Sequence, residues 1–235
     1  MTGEHSSKQY DMDLETIRSK VLLMGGLVEN QFHEAIASFR TGDNVLAQQV
    51  IKSDEQVNRL EVTLDDICSQ LIVRRQPAAN DLRTVTSTMK VITDLERIGD
   101  EATKIARMAV KFHESGNDSI HRFELVRVMA GSARDMLHDA LDAFARLDEK
   151  QARKLIAQDV IVDHEFRNIM RSLITFMMED PRTISPALDT MWVAKAIERI
   201  GDHAKNIAEY VVYVVEGKDI RHTEQTDFDA TKLEH

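Results

Sequence analysis

ERIGDEATKIA at Glu96–Ala106 and ERIGDHAKNIA at Glu198–Ala208 are two copies of one pattern, and their reading decides the fold. Around both copies apolar residues recur at three- and four-residue spacing, the period of an amphipathic helix. Ile92, Leu95, Gly99, Ala102 and Ala106 make one buried stripe; Ala194, Ile197, Gly201, Ala204 and Ala208 make the other. Glu96 and Asp100 then share one flank, and so do Glu198 and Asp202. Like charges at that spacing repel by roughly 0.2–0.5 kcal/mol, and a glycine inside a helix costs about 1 kcal/mol relative to alanine. Gly99 and Gly201 are therefore expected to be helix-packing glycines, placed where another helix or a ligand approaches the backbone closely.

Working outward, the copies belong to a duplication. HEAIASF at His33–Phe39 returns as HDALDAF at His138–Phe144, a shift of 105 residues that also pairs Asp43 with Asp148, Asp54 with Asp159 and Asn58 with Asp163. The ERIGD copies are offset by 102, so three residues are lost in the loops that carry Pro77 and Pro181. A register held over three helices marks an internal repeat. The periodicity predicts a first helix through Leu14, Val21, Val28 and Phe39, ended by Thr41-Gly42-Asp43, and a second reaching about Arg75. A third, N-capped by Asp81, runs to about His113. ESGNDS at Glu114–Ser119 reads as the linker. Helices over about Ile120–Leu147, Asp148–Glu179 and Ser185–Glu216 follow, the last with Ser185 as N-cap and Pro186 at its first position. The expected architecture is all-α: two tandem three-helix bundles, residues 10–114 and 119–222. Residues 223–235 read as a flexible tail whose closing TKLEH resembles the start of an expression tag.

Composition narrows the function. Asp+Glu 40 against Lys+Arg 30 gives a net charge of −10, which argues against nucleic-acid binding. The one cysteine, Cys68, falls at core spacing with Leu64 and Leu71 and is expected to be a buried, inert thiol. The polar start MTGEHSSKQYDMD has no signal-peptide core, and the apolar run Val21–Val28 is too short to span a bilayer. A cytoplasmic protein that does not insert in the membrane is expected, with peripheral docking at the inner membrane through partners left open. Gly25-Gly26 and Gly131 are read as close helix packing, and Met191 and Trp192 as core.

Three readings of the repeated acids compete. They can pair with Arg97, Arg199 or nearby lysines on a solvated face. They can bind a hard cation: Asp54 and Asn58, then Asp159 and Asp163, lie on the second helix of each repeat at the same spacing, so each bundle offers four oxygen-bearing side chains. They can also belong to a di-iron carboxylate enzyme, but that class needs Glu-x-x-His pairs, and none of the nine histidines has a Glu three residues before it. His33 and His138 are equivalent and are read as packing or capping residues. There is no HExxH, GxSxG, CxxC or Gly-rich phosphate loop.

With the repeat, both ERIGD copies and QPxxxDLR at Gln76–Arg83 in view, residues 10–222 resemble the PhoU family, and Glu198–His222 resembles the C-terminal repeat of proteobacterial members. The resemblance implies a non-enzymatic negative regulator of the phosphate-starvation response that modulates phosphate uptake. Its implied partners are the ATPase subunit of the phosphate ABC transporter and a membrane-bound sensor histidine kinase, with homodimer formation expected. It further implies iron or zinc at E(D)xxxD motifs, carried here by Glu96, Asp100, Glu198 and Asp202, and less directly by Asp159 and Asp163. Asn58 stands where the second repeat has Asp163, so the two sites are expected to differ in affinity or occupancy. The readings weighed against this one are a metal-binding helical-bundle enzyme or metal store, and a helical adaptor unconnected with phosphate.

Overall fold

A computed structural model describes residues 2–114 and 123–221, which form helices and no strand. Helix α1 spans Thr2–Thr41, α2 Asn44–Arg75 and α3 Ala79–Glu114. Helix α4 spans Phe123–Arg146, α5 Glu149–Glu179 and α6 Ile184–Glu216, with a 3-10 turn at Pro181–Thr183. At 36 residues α3 is about 54 Å long. Most of the expected linker, the start of the fourth helix at Ile120 and the tail beyond His222 lie outside the described residues.

The repeats set one helix boundary the same way. Asp43 caps α2 by accepting from the Leu46 N–H at 2.9 Å, and Asp148 caps α5 by accepting from the Gln151 N–H at 3.1 Å. The residue before each cap is left-handed, Gly42 at φ 72° and Leu147 at φ 51°. A leucine there costs about 1–2 kcal/mol that glycine does not, so packing imposes the turn in the second repeat. Other boundaries differ from expectation. Helix α3 begins at Ala79, which puts Asp81 in its first turn, where its charge favours the helix dipole, and not at the N-cap. Helix α6 begins at Ile184, because Asp180 and Thr183 close a 3-10 turn onto Arg182 and Phe176; Ser185 and Pro186 lie inside the first turn. Helix α1 extends well before Leu14, and Arg75 of α2 holds that extension through Asp13 at 3.1 Å.

Within each repeat the third helix packs on the other two, α3 on α1 and α2, α6 on α4 and α5. The bundles join through α3 against α6 and α1 against α4. Both ERIGD stripes are buried throughout. Phe32, Phe39, Phe112, Leu64, Leu95 and Met129 are among the fully buried side chains, each contributing about 1.5–3 kcal/mol over remaining in water. Cys68 is buried, and desolvation followed by the Asp65 charge pushes its thiol up to about 11.

Two packing expectations are corrected. Gly25 is a true contact glycine, since a Cβ there would lie 2.5 Å from Leu141, but at Gly26 and Gly131 a Cβ would meet nothing within 4 Å. Trp192 is 66% exposed and not core, while Met191 is half-buried. Trp192 sits four residues from exposed Leu188 and seven from exposed Arg199, on the outward stripe of α6.

Candidate functional site: two acidic clusters beside an interhelical cleft

In the first repeat Glu96 and Asp100 stand one turn apart on α3, beside Gly99. A Cβ on Gly99 would lie 3.1 Å from Gln31 Oε1 and 3.4 Å from Asp54 Oδ1, so the missing side chain lets α1 and α2 bring polar atoms down to the α3 backbone. The Gln31 amide donates to Asp54 Oδ1 and to Thr103 Oγ1, each at 3.1 Å. Burial, then the charges of Asp100, Glu61 and Asp54, raise the Glu96 carboxyl above its ordinary range. Asp100 is raised by burial and then by Asp54, and Glu61 by burial, Asp65 and Asp100. The first cluster is therefore Asp54, Glu61, Glu96 and Asp100. Asn58 is exposed on α2; Glu61, two turns beyond Asp54, joins the acids instead.

The second cluster contains Asp159, Asp163, Glu198 and Asp202. Here Val162 covers the glycine, its Cγ1 lying 3.3 Å from where a Cβ on Gly201 would be. Desolvation, then the charges of Glu198 and Asp159, push Asp202 up to about 6, and Asp163 adds to the effect. Two lysines of α6 neutralise this group: Lys205 Nζ donates to buried Asp159 at 2.7 Å and Lys195 Nζ to Glu198 at 2.5 Å. At the shift of 102 their counterparts in the first repeat are Thr103 and Thr93. Lys195 also lies 5.4 Å from the Phe166 ring, and Phe166 stands where the first repeat has Glu61.

Between the clusters a cleft of about 710 Å³ follows the α3–α6 seam. The helices run antiparallel there, tied by Lys111 to Asp189 at 2.6 Å, Arg199 to Glu101 at 3.1 Å and His203 Nδ1 to Asp94 at 2.6 Å. Asp94 and Glu101 are almost wholly buried, so these bonds satisfy charges that cannot reach water. Asn206 also donates to Asp94 at 3.3 Å, and Lys104 to Glu101 at 2.9 Å. Arg199 thus bridges to the opposite repeat rather than to Glu198, and Arg97 forms no ion pair among the described residues.

The donors suit a hard cation: oxygen only and clustered. Their placement does not yet make a ligand set, since among the described residues no three His, Cys, Asp or Glu side chains are arranged to hold one ion. Side chains would have to rotate inward. Sequence reasoning missed Glu61, at i+7 from Asp54; it expected pairing with nearby lysines, which Lys195 and Lys205 supply at i±3 from Glu198 and Asp202. Gln31 and Thr103 carried no sequence signal, because their roles depend on how α1 crosses α2 and α3.

The PhoU domain model matches residues 21–109 and 126–211, one match in each repeat. The phosphate-specific transport system accessory protein PhoU homolog of Pseudomonas putida is 48% identical over 218 residues, covering 93% of this chain and 85% of that one. The accessory protein PhoU of Escherichia coli K12 is 43% identical over 228 residues, covering 97% and 93%. The crystal structure of PhoU from Pseudomonas aeruginosa superposes with a TM-score of 0.86 at 45% identity, over 89% of this chain and all of that one. The phosphate transport system regulatory protein PhoU of Streptococcus pneumoniae gives a TM-score of 0.82 at 26% identity, over 89% and 98%. With both repeats matched and relatives this similar across nearly its whole length, the chain belongs to the PhoU family.

Proposed function

We propose that this chain is an accessory regulator of a phosphate-specific transport system, and that it holds down the phosphate-starvation response when phosphate is plentiful. Its relatives carry accessory and regulatory names, and the family is not enzymatic. In this reading the chain is an adaptor between the ATPase subunit of the transporter and a sensor histidine kinase, it dimerises, and it works from the cytoplasm, peripheral to the inner membrane. No helix of the described residues is long and apolar enough to cross a membrane.

The observation that carries the reading is the placement of the two ERIGD segments. They lie on α3 and α6, tied by Arg199 to buried Glu101 and by His203 to buried Asp94, with an acidic cluster beside the seam on each helix. Such a unit has a fixed spacing between two acidic surfaces, which suits an adaptor that contacts basic surfaces on partners. Iron or zinc would be held in the first repeat by Asp54, Glu61, Glu96 and Asp100, and in the second by Asp159, Asp163, Glu198 and Asp202. A bound ion would supply the positive charge that relieves the mutual repulsion of these acids.

The test is a phosphate-starvation reporter in phosphate-rich cells that lack this gene and are complemented with wild type or Glu198→Ala/Asp202→Ala. Wild type should restore repression and the double variant should not, with far-UV helix content unchanged. Repression by both would remove the acids from the working surface. A reporter that stays silent when the gene is deleted would end the regulatory reading.

A further inference from the structure

We infer that the groove between α1 and α4 is a docking site for an acidic amphipathic helix of a partner protein. The groove, about 240 Å³, opens on the side of the molecule formed by α1 and α4, and every charged residue lining it is basic: Arg40, Arg127, Arg134 and, when protonated, His33. This concentration stands out in a chain of net charge −10. Arg127 pairs with Glu124 and Arg134 with Asp135, but both acids are exposed and neither lines the groove. The floor is apolar, formed by Phe32, Ile36, Ala37 and Ala130.

The duplication supplies an internal control. At the shift of 105, His33 and Arg134 correspond to His138 and Glu29. Across the other half of the α1–α4 seam, Glu29 and His138 lie 3.1 Å apart, so the acid has its partner within the chain. In the groove the acid has become Arg134 and faces other cations. Residues that repel one another when alone are complementary to an anionic visitor.

Gly131 is the second observation. It stands in the middle of α4 and lines the groove, four residues after Arg127 and three before Arg134, on the same helix face. A Cβ there would meet nothing within 4 Å, so no contact inside the chain requires the glycine. A glycine that lowers helix stability without serving internal packing suits the close approach of an outside backbone. An apolar floor with cations on both walls matches a helix whose small apolar stripe is flanked by acids. A site for a small oxyanion would instead place hydrogen-bond donors on the floor. The groove lies apart from both acidic clusters, and neither Glu198 nor Asp202 lines it, so its failure would leave the reporter assay above unaffected.

The test uses the full chain and a fluorescent synthetic helical peptide with an alanine–leucine stripe between two rows of glutamate, read by anisotropy. Saturable binding is expected, and a scrambled peptide of the same composition should bind far less. Arg127→Glu/Arg134→Glu should weaken binding at least roughly tenfold. Gly131→Leu, which leaves the charge unchanged, should do the same by filling the groove, and Arg40→Glu on α1 is the companion variant should an α4 variant misfold. Equal binding of the scrambled peptide, unchanged affinity in the variants or no binding at all would overturn the proposal. So would Arg134-dependent binding of inorganic pyrophosphate or of phosphatidylglycerol vesicles at the expense of the peptide, which would reassign the groove to a small anion or to a membrane.

Discussion

In the second repeat Lys205 bonds Asp159 and Lys195 bonds Glu198; in the first, the equivalent positions are Thr103 and Thr93, and the acids face one another with only the Gln31 amide donating to Asp54. The duplication has thus kept the ERIGD acids and glycines and the Asp54/Asp159 pair, and let the counter-charge diverge. A carboxylate bonded to its own lysine is already satisfied and contributes to holding α5 on α6. A carboxylate among other carboxylates, with Arg97, Lys104 and Arg107 nearby but none of them bonded to it, is more available to a cation or a basic partner. On acid count the clusters are level at four each, because Glu61 makes up for Asn58. Counting the lysines then favours the first.

The sharpest way to break this comparison is to exchange the counter-charges. With zinc titrated by calorimetry, the first cluster should bind more tightly than the second. Thr103→Lys should weaken the first site, and Lys205→Thr should strengthen the second, each by on the order of 2 kcal/mol, or roughly thirtyfold, for a unit charge near a partly exposed site. Two wild-type sites of equal affinity, indifferent to both exchanges, would show that the lysines do not matter to cation binding.

Stability should divide the repeats in the opposite sense. Lys205→Ala leaves Asp159, only 8% exposed, without its ammonium, and should cost about 2 kcal/mol, below the full value for a wholly buried pair because the lysine is partly solvated. Thr103→Ala removes one neutral acceptor from Gln31 and should cost about 1 kcal/mol. Urea denaturation measures both, and equal losses would mean that the lysine is not a structural partner of α5.

The pH dependence should be smaller. The Asp202 carboxyl is raised from 3.8 to about 6 in the folded chain. A raised acid binds more protons folded than unfolded, so its contribution is full below about 4 and is lost as pH rises through about 6. Asp202→Asn should remove that slope and leave the variant slightly more stable at neutral pH, by less than about 1 kcal/mol, because solvent screens this exposed position. Asp100→Asn should act in the same direction in the first repeat. Thermal midpoints across pH 4–7 would expose a reversed sign.

How much of this was legible beforehand depended on the range of the interaction. The helices, the duplication and the flank shared by Glu96 and Asp100 follow from spacing along one chain segment, and spacing is visible in sequence. Helix starts were less legible: Asp81 and Ser185 are good caps, but loop geometry moved both into the first turn. Glu61 and the lysines obeyed helical spacing, and Glu61 could have been found by treating each acid as the centre of a neighbourhood. Gln31 between Asp54 and Thr103 could not, since its position is fixed by how three helices cross. Bulk does not imply burial at Trp192, whose neighbours on the stripe, Leu188 and Arg199, are exposed too.

The ERIGD glycines give the smallest and most discriminating test. Alanine at either position gains about 1 kcal/mol of helix propensity, so the outcome depends on what the new methyl meets. At Gly99 it meets Gln31 Oε1 at 3.1 Å, the far end of a flexible side chain whose oxygen has no hydrogen-bond partner to lose, while Val57, the counterpart of Val162, stays at an ordinary contact distance of 3.4 Å. Gly99→Ala should therefore lie within about 0.5 kcal/mol of wild type, the strain offsetting the propensity gain. At Gly201 the methyl meets Val162 Cγ1 at 3.3 Å, and a β-branched residue in a helix has essentially one rotamer and cannot turn aside. Gly201→Ala should be destabilising by about 1 kcal/mol despite its propensity gain. The same pentapeptide would then tolerate a methyl where its tightest contact is a flexible amide oxygen, with Val57 at ordinary distance, and resist it where the equivalent Val162 is itself the tightest contact. The reverse order in paired denaturation curves would mean that the Gln31–Asp54–Thr103 network, and not the Val162 contact, is the rigid element against which an ERIGD helix is packed.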